Sequence, residues 1–271
     1  MKDLDELLSV ASQAVDIAGQ RAFSQAPGLI TPKGDRDMAS EVDYAVEKEL
    51  RAFLAEETPD IGFLGEEEGR SVGRRDELLW VLDPIDGTAN FVRGLPLVAV
   101  SLGLVGGDSS LLGIIDMPFL RRRYAGRLRG GATCNGRPIR GSRCDRLDDA
   151  MIAIGDYAVG DRAPAKNAPR LALTALLAAR VQRVRMLGTA ATDLAWTAHG
   201  QLDASIMFSN KPWDTSAGVL IAREAGLQVL DLDGSQHKFH SKGTVAVAEP
   251  IADQLLALIA EAQELDELPS D

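Results

Sequence analysis

The feature that most restricts the fold is a change of pattern near residue 148. From 78 to 139 short apolar runs follow one another closely, as in a sheet built by hairpins. Beyond 148 such runs alternate with helix-patterned segments, as in a sheet built by crossovers. Residues 61–64, 78–82, 97–105 and 111–115 read as strands, and Asn135-Gly136 is a strong two-residue hairpin signal. Ahead of them lie an amphipathic helix carrying Leu4, Leu7, Leu8, Ala11, Val15 and Ala18, a loop with Pro27, Pro32 and Gly34, and a helix over 41–57. After the switch, 151–154, 184–187, 204–208, 227–230 and 244–248 read as strands, and 170–180, 190–199, 214–225 and 251–262 as helices. Residues 261–271 hold five acids and no base and read as a solvated tail. The expectation is layered α/β sheets in one unit over 1–271, with a soft seam near 148.

A net charge of −11 speaks against nucleic acid or an anionic membrane as partner, because both select basic surfaces. It leaves room for an anionic substrate whose charge is met by bound cations. The two cysteines, Cys134 and Cys144, form no Cys-x-x-Cys pair, so neither a disulfide framework nor a thiolate zinc site is expected. Met1-Lys2-Asp3-Leu4-Asp5-Glu6 lacks the basic-then-apolar pattern of a signal peptide. The longest uncharged apolar stretch, 94–107, falls short of the ~20 residues of a membrane helix. A soluble, cytoplasmic protein is expected.

The chemistry is most legible in Trp80-Val81-Leu82-Asp83-Pro84-Ile85-Asp86-Gly87-Thr88-Ala89-Asn90-Phe91. An apolar strand delivers Asp83 to its carboxyl end, and Pro84 fixes the exit. Asp86 follows three residues on, so one turn can aim both carboxylates at a common point. If a helix starts at Gly87-Thr88, its free N–H groups form a phosphate cradle. Acids beside an anion site repel the anion unless hard cations lie between them, which is how Mg²⁺ joins carboxylate and phosphate. Standing alone, each acidic segment has a plainer reading. Asp83 to Gly87 reads equally as an Asx-type turn, and Gly65-Glu66-Glu67-Glu68-Gly69 as a solvated loop. Asp214 reads as a helix N-cap and Asp43 as the polar face of a helix.

Taken together and in order, residues 37–43, Gly65-Glu66-Glu67, residues 83–91, Gly188-Thr189-Ala190-Ala191 and residues 213–218 resemble a known pattern. It is that of the inositol monophosphatase family of Mg²⁺-dependent, lithium-sensitive sugar and nucleotide phosphatases, and it spans nearly the whole chain. The resemblance implies an α-β-α-β-α sandwich of the inositol monophosphatase and fructose-1,6-bisphosphatase type, usually a homodimer. The first 148 residues would carry metal and phosphate, and the rest the substrate side and Asp214. By resemblance, Glu66, Asp83 and the Ile85 carbonyl hold a first Mg²⁺, and Asp83, Asp86 and Asp214 a second. Glu66 assists a third through water, giving two to three ions per site, with Mn²⁺ as a substitute. Gly87 and Thr88 present N–H groups to phosphate, and the Thr88 hydroxyl, linked to Asp43, orients and deprotonates the attacking water. Lys33 lies on the mobile loop near the third metal. Asp86, Gly188, Thr189, Ala190 and the residue at 207 face the substrate.

At 207 the chain departs from its relatives. Inositol phosphatases commonly carry a Glu seven residues before the Trp-Asp aspartate, where it meets substrate hydroxyls; here the residue is Met207. Met207 and Lys211 argue against cationic histidinol phosphate. Ala89-Asn90 argues against 3′-phosphoadenosine 5′-phosphate, whose enzymes usually have a charged pair after Asp-Gly-Thr. The expectation is hydrolysis of a small polyol or sugar phosphate ester of the inositol 1-phosphate kind, with fructose 1,6-bisphosphate as the alternative. A non-catalytic, metal-dependent phosphate-binding protein is the rival from another class. Against it stands the presence of every matched ligand together with Asp43 and Thr88.

Other motifs recede. No Gly-x-x-x-x-Gly-Lys-Ser/Thr occurs, and Ala99-Val100-Ser101-Leu102-Gly103 only approximates a nucleophile elbow inside an apolar strand. His237 and His240 read as a surface loop, and His199 as a helix end where the dipole favours it.

Overall fold

The computed structural model describes residues 2–24, 26–34, 37–71, 73 and 75–267. Helix α1 (Leu4–Ser24) buries Leu7, Ala11, Val15 and Ala18, the stripe that its spacing predicts. The stretch expected as a loop instead forms a hairpin of β1 (Ile30–Gly34) and β2 (Asp37–Ser40). Most of β1 is exposed, so no apolar alternation announces it, and as a two-stranded ribbon it tolerates Pro32. Helix α2 (Glu41–Glu57) spans the predicted interval.

Next come β3 (Ile61–Gly65), β4 (Gly69–Ser71), β5 (Arg75–Asp86), the short α3 (Thr88–Val92), β6 (Ala99–Gly106) and β7 (Ser109–Met117). They are followed by β8 (Arg122–Arg127), β9 (Gly131–Cys134) and β10 (Arg137–Pro138). These strands form an eight-stranded sheet in the order β10-β9-β8-β7-β6-β5-β3-β4, in which only the β3–β5 pair is parallel. Asn135 and Gly136 both take positive φ, as the expected hairpin requires.

The second half contains β11 (Met151–Ile154), α4 (Ala163–Arg180), β12 (Arg183–Arg185), α5 (Ala190–Ala198) and β13 (Ala204–Met207). It ends with α6 (Pro212–Glu224), β14 (Gln228–Leu230), β15 (Thr244–Val247) and α7 (Ala252–Glu267). Its sheet has the order β12-β11-β13-β15-β14, with β11 parallel to both neighbours. Two helices outrun their predicted limits. Pro169, a breaker by rule, is accommodated inside α4, which starts at Ala163. The acidic segment read as a tail continues α7 to Glu267, and 268–271 lie outside the described residues.

Helices α1 and α2 cover one face of the large sheet, α5 and α6 lie between the sheets, and α4 and α7 pack together on the far side of the smaller one. The layers are therefore α-β-α-β-α. One core joins Val15, Leu50, Trp80 and Leu102; the other joins Tyr124, Leu194, Ile206 and Ile221. The first turns of α6 rest almost directly on sheet backbone. A Cβ at Gly113 would lie 2.5 Å from the Ala217 carbonyl oxygen, and one at Gly103 3.0 Å from Ser216 Cβ. Glycine at these two positions lets the helix approach, and so sets where Asp214 stands.

Candidate active site

Because β3 runs parallel to β5, and β11 to β13, these strands bring their carboxyl ends toward the amino-terminal ends of α3, α5 and α6. A cavity of about 270 Å³ opens there. Glu66, Asp83, Ile85, Asp86, Gly87, Thr88, Gly188, Thr189, Ala190, Met207 and Asp214 all line it. Asp43 and Lys33 are not part of that lining but bond to residues that are.

Local structure aims each side chain. The β5–β6 register shifts between Asp83 and Asp86, around Pro84, and this irregularity re-aims the end of the strand. Asp83 accepts the Ile85 N–H at 3.0 Å. Asp86 accepts the Thr189 hydroxyl at 2.5 Å and the Ala191 N–H at 2.6 Å, which ties β5 to the start of α5. Gly87, with φ +90°, caps α3; a Cβ there would meet the Leu97 carbonyl at 2.9 Å. The Thr88 hydroxyl lies 3.2 Å from Asp43 Oδ1 and 3.1 Å from the Ile85 carbonyl. Asp43 is fully buried and also accepts the Ser40 N–H at 2.9 Å, so it is not the polar face of its helix. Nor is Asp214 an N-cap: Lys211 takes that position, and Asp214 sits in the first turn of α6.

The Glu66-Glu67-Glu68 run is a clamped turn, not a solvated loop. Buried Glu47 accepts the Glu67 and Glu68 N–H groups at 2.8 and 2.9 Å and pairs with Arg51 at 2.7 Å. Lys33 reaches Glu66 at 3.0 Å and Glu67 at 2.6 Å. Glu47 is the functional support that sequence reasoning missed, since a helical Glu four residues before an Arg looks like a surface pair.

The chain matches the inositol monophosphatase family over residues 3–266. It belongs to that family. It is 34% identical over 262 residues to inositol-1-monophosphatase ImpA of Mycolicibacterium smegmatis, covering 94% of this chain and 92% of that protein. It is 33% identical over 231 residues to a fructose-1,6-bisphosphatase/inositol-1-monophosphatase of Aquifex aeolicus, covering 83% and 86%. The crystal structure of the extragenic suppressor protein suhB from Bartonella henselae aligns with a TM-score of 0.88 at 31% identity, over 94% and 98% of the two chains.

In this inositol monophosphatase family member the acids repel one another. Burial, then the charges of Glu66, Asp86 and Asp214, hold Asp83 well above the usual carboxylate range. Burial lifts Asp86 to about 6 against the bonds from Thr189 and Ala191, and burial with Asp86 and Glu66 pushes Asp214 up to about 8. Burial works against the Lys33 charge, yet its contacts with Glu67 and Glu66 raise its pKa overall. Such a set of hard oxygens suits a divalent cation of the Mg²⁺ kind. Among the described residues, however, no three His, Cys, Asp or Glu side chains are gathered closely enough to hold a metal as they stand. The hydrogen bonds explain the spread: Asp86 turns to α5, Asp83 to Ile85 and Glu66 to Lys33. Like charges without a counterion are best kept apart.

His237 corrects the surface-loop expectation. It is buried, and its Nε2 accepts from Asn210 Nδ2 at 3.0 Å, four residues ahead of Asp214. Burial lowers its pKa to about 4. The unfolded state therefore takes up this proton first as pH falls. His237 should withdraw about 3 kcal/mol of stability between about pH 6.5 and 4. The buried carboxylates titrate in the opposite sense, so the check is a difference: urea midpoints of wild type and His237→Gln should converge over that interval. Parallel midpoints would show that His237 does not titrate there. His240 is exposed, as expected. His199 stands at the C-cap of α5, the helix end expected, and burial and Arg122 lower its pKa.

Proposed function

We propose that the protein, a phosphatase of the inositol monophosphatase family, requires Mg²⁺ and hydrolyses a small polyol or sugar phosphate of the inositol 1-phosphate kind. The observation that carries this reading is the arrival of Glu66, Asp83, Asp86 and Asp214 from three elements at one cavity that also holds Gly87 and Thr88. Glu66, Asp83 and the Ile85 carbonyl would hold one ion, Asp83, Asp86 and Asp214 a second, and Glu66 would assist a third. Bound there, the ions neutralise phosphate charge and make water a better nucleophile.

The chain's own groups do the rest. Gly87 and Thr88 offer N–H groups at the start of α3 for the phosphate oxygens. The Thr88 hydroxyl donates to Asp43, which leaves its oxygen free to accept a proton from the attacking water. Asp43 then takes the proton through that hydroxyl, while the Ser40 N–H keeps its carboxylate in place. Lys33, on the β1–β2 ribbon, balances Glu66 and Glu67 beside the metal cluster.

No helix among the described residues is long and apolar enough to cross a membrane, which suits a soluble cytoplasmic enzyme. A homodimer follows from the family reading, and Leu95, Val159, Leu171 and Met186 are among the apolar side chains left exposed. Asn90 ties the Leu97 and Leu187 stretches together, donating to their carbonyls at 2.9 and 2.8 Å.

Phosphate release from a panel of sugar, polyol and nucleotide esters with Mg²⁺ tests the substrate class. Met207 sharpens it, since it is 4% exposed, ends β13 and lines the cavity. A side chain without an acceptor forgoes the bond to a ring hydroxyl. Met207→Glu should raise kcat/KM for inositol 1-phosphate about tenfold relative to a simple aryl phosphate. Parallel change in both substrates would mean a disturbed metal cluster, and no change would mean that 207 does not touch the substrate.

A further inference from the structure

One acid of the cavity takes no part in the function proposed. Asp193 of α5 is 2% exposed and lines the cavity, and its Oδ1 has no hydrogen-bond partner among the described residues. The other buried acids described are all held by donors: Asp43, Glu47, Asp83, Asp86 and Asp116 each accept at least one hydrogen bond. The charges that act on Asp193 are those of Asp86 and Asp156, both negative. Arg170 and Lys211 share the cavity, but neither is among those charges. A buried carboxylate oxygen without a donor is costly, so one kept in this state calls for a partner that the chain does not supply. Its place in α5 aims it. Ala190 and Asp193 stand three residues apart, on one face of the helix, and both line the cavity. Between them the Ala191 N–H is committed to Asp86, and the Thr192 N–H to the Thr189 hydroxyl. The turn that fixes Asp86 therefore also turns Asp193 toward the substrate space.

We propose that Asp193 is a specificity-determining residue that accepts a hydroxyl of the substrate's polyol or sugar ring. At position 207, where inositol phosphatases commonly carry the acceptor, this chain offers only the thioether of Met207, a weak acceptor. Asp193 reaches the same cavity from a different element, α5 instead of β13. Asp156, which is exposed, lines the cavity as well, so a ring with several hydroxyls can meet a second acceptor. A carboxylate there also repels phosphate, which leaves the ester one orientation: phosphate toward Gly87 and Thr88, ring toward α5. The inference rests on the phosphatase reading and adds to it the group that selects hydroxylated esters.

The test measures kcat/KM with Mg²⁺ for inositol 1-phosphate and for a simple aryl phosphate, which has no ring hydroxyl, in wild type, Asp193→Leu and Asp193→Asn. Asp193→Leu removes the acceptor at similar size. It should lower the value for inositol 1-phosphate about 10- to 100-fold more than the value for the aryl ester. Asp193→Asn keeps a neutral carbonyl acceptor and should fall between. Melting in chelator supplies a readout on which a structural role would differ. Losing an unpartnered buried acid should leave Asp193→Leu at or above the wild-type temperature. A parallel loss on both esters together with a lower melting temperature would make Asp193 a prop of α5 and overturn the proposal, as would an unchanged ratio. If Asp193→Leu does not fold, the ratio in Asp193→Asn decides alone. If wild type hydrolyses the aryl ester but not inositol 1-phosphate, the phosphatase reading stands and this inference fails. If it hydrolyses neither, the phosphatase reading itself fails and takes this inference with it.

Discussion

Asp214→Asn is expected to cut turnover roughly 10³-fold or more while leaving the metal-free protein folded. A carboxylate that helps hold a catalytic cation contributes several kcal/mol of charge stabilisation in the transition state, at tenfold in rate per ~1.4 kcal/mol. The same carboxylate brings little stability to the metal-free chain. The Lys211 N–H and charge help its carboxylate, yet burial with Asp86 and Glu66 outweighs them and drives its pKa up to about 8. The folded pKa is raised above the unfolded one, so the native state binds the extra proton and loses stability as pH rises toward 8. Asparagine removes that penalty. In chelator at neutral pH, Asp214→Asn should melt at or above the wild-type temperature, and the gain on adding Mg²⁺ should shrink. Asp86→Asn is the informative contrast, because Thr189 and Ala191 donate into its carboxylate. It should lose turnover and also some metal-free stability, on the order of 1 kcal/mol per weakened bond. A clear fall in the metal-free melting temperature of Asp214→Asn would make that carboxylate structural.

The sheets and most helices were legible because their burial follows the simple periods of strand and helix. What escaped was structure whose reasons are tertiary. The β1–β2 ribbon exposes most of its first strand and so lacks a pattern. The start of α4 was hidden by Pro169, and the end of α7 by a run of acids, of which Glu261 and Glu264 are exposed on the helix. In the site, the acids at 66, 83, 86 and 214 could be named through the family resemblance, and the cavity unites them. Their supports could not be read as such: Glu47 looked like half of a surface pair, and Thr189 was expected to face the substrate. Glu47 closes a turn 20 residues away, and Thr189 bonds an aspartate 103 residues away. Asp193 is buried with an oxygen lacking a protein partner, although it reads as an ordinary first-turn acid of α5. Asn210 and His237 meet only because β15 and the loop before it close over the chain that leads to α6. Long-range polar pairing leaves no periodic trace in sequence.

In the function proposed, these carboxylates hold Mg²⁺ at the phosphate. Without the ions, the six acids lining the cavity, Asp156 and Asp193 among them, repel a phosphate dianion, and Thr88 and Asp43 have only an ordinary water to deprotonate. The barrier to phosphate monoester hydrolysis is among the highest that enzymes lower, which makes the dependence steep. The direct measurement is phosphate release from inositol 1-phosphate, and from a bisphosphorylated sugar, by exhaustively chelated wild type titrated with Mg²⁺. Turnover should be indistinguishable from buffer in chelator, and Mg²⁺ should restore it in parallel with a rise in melting temperature. Undiminished turnover in the chelated protein would contradict it.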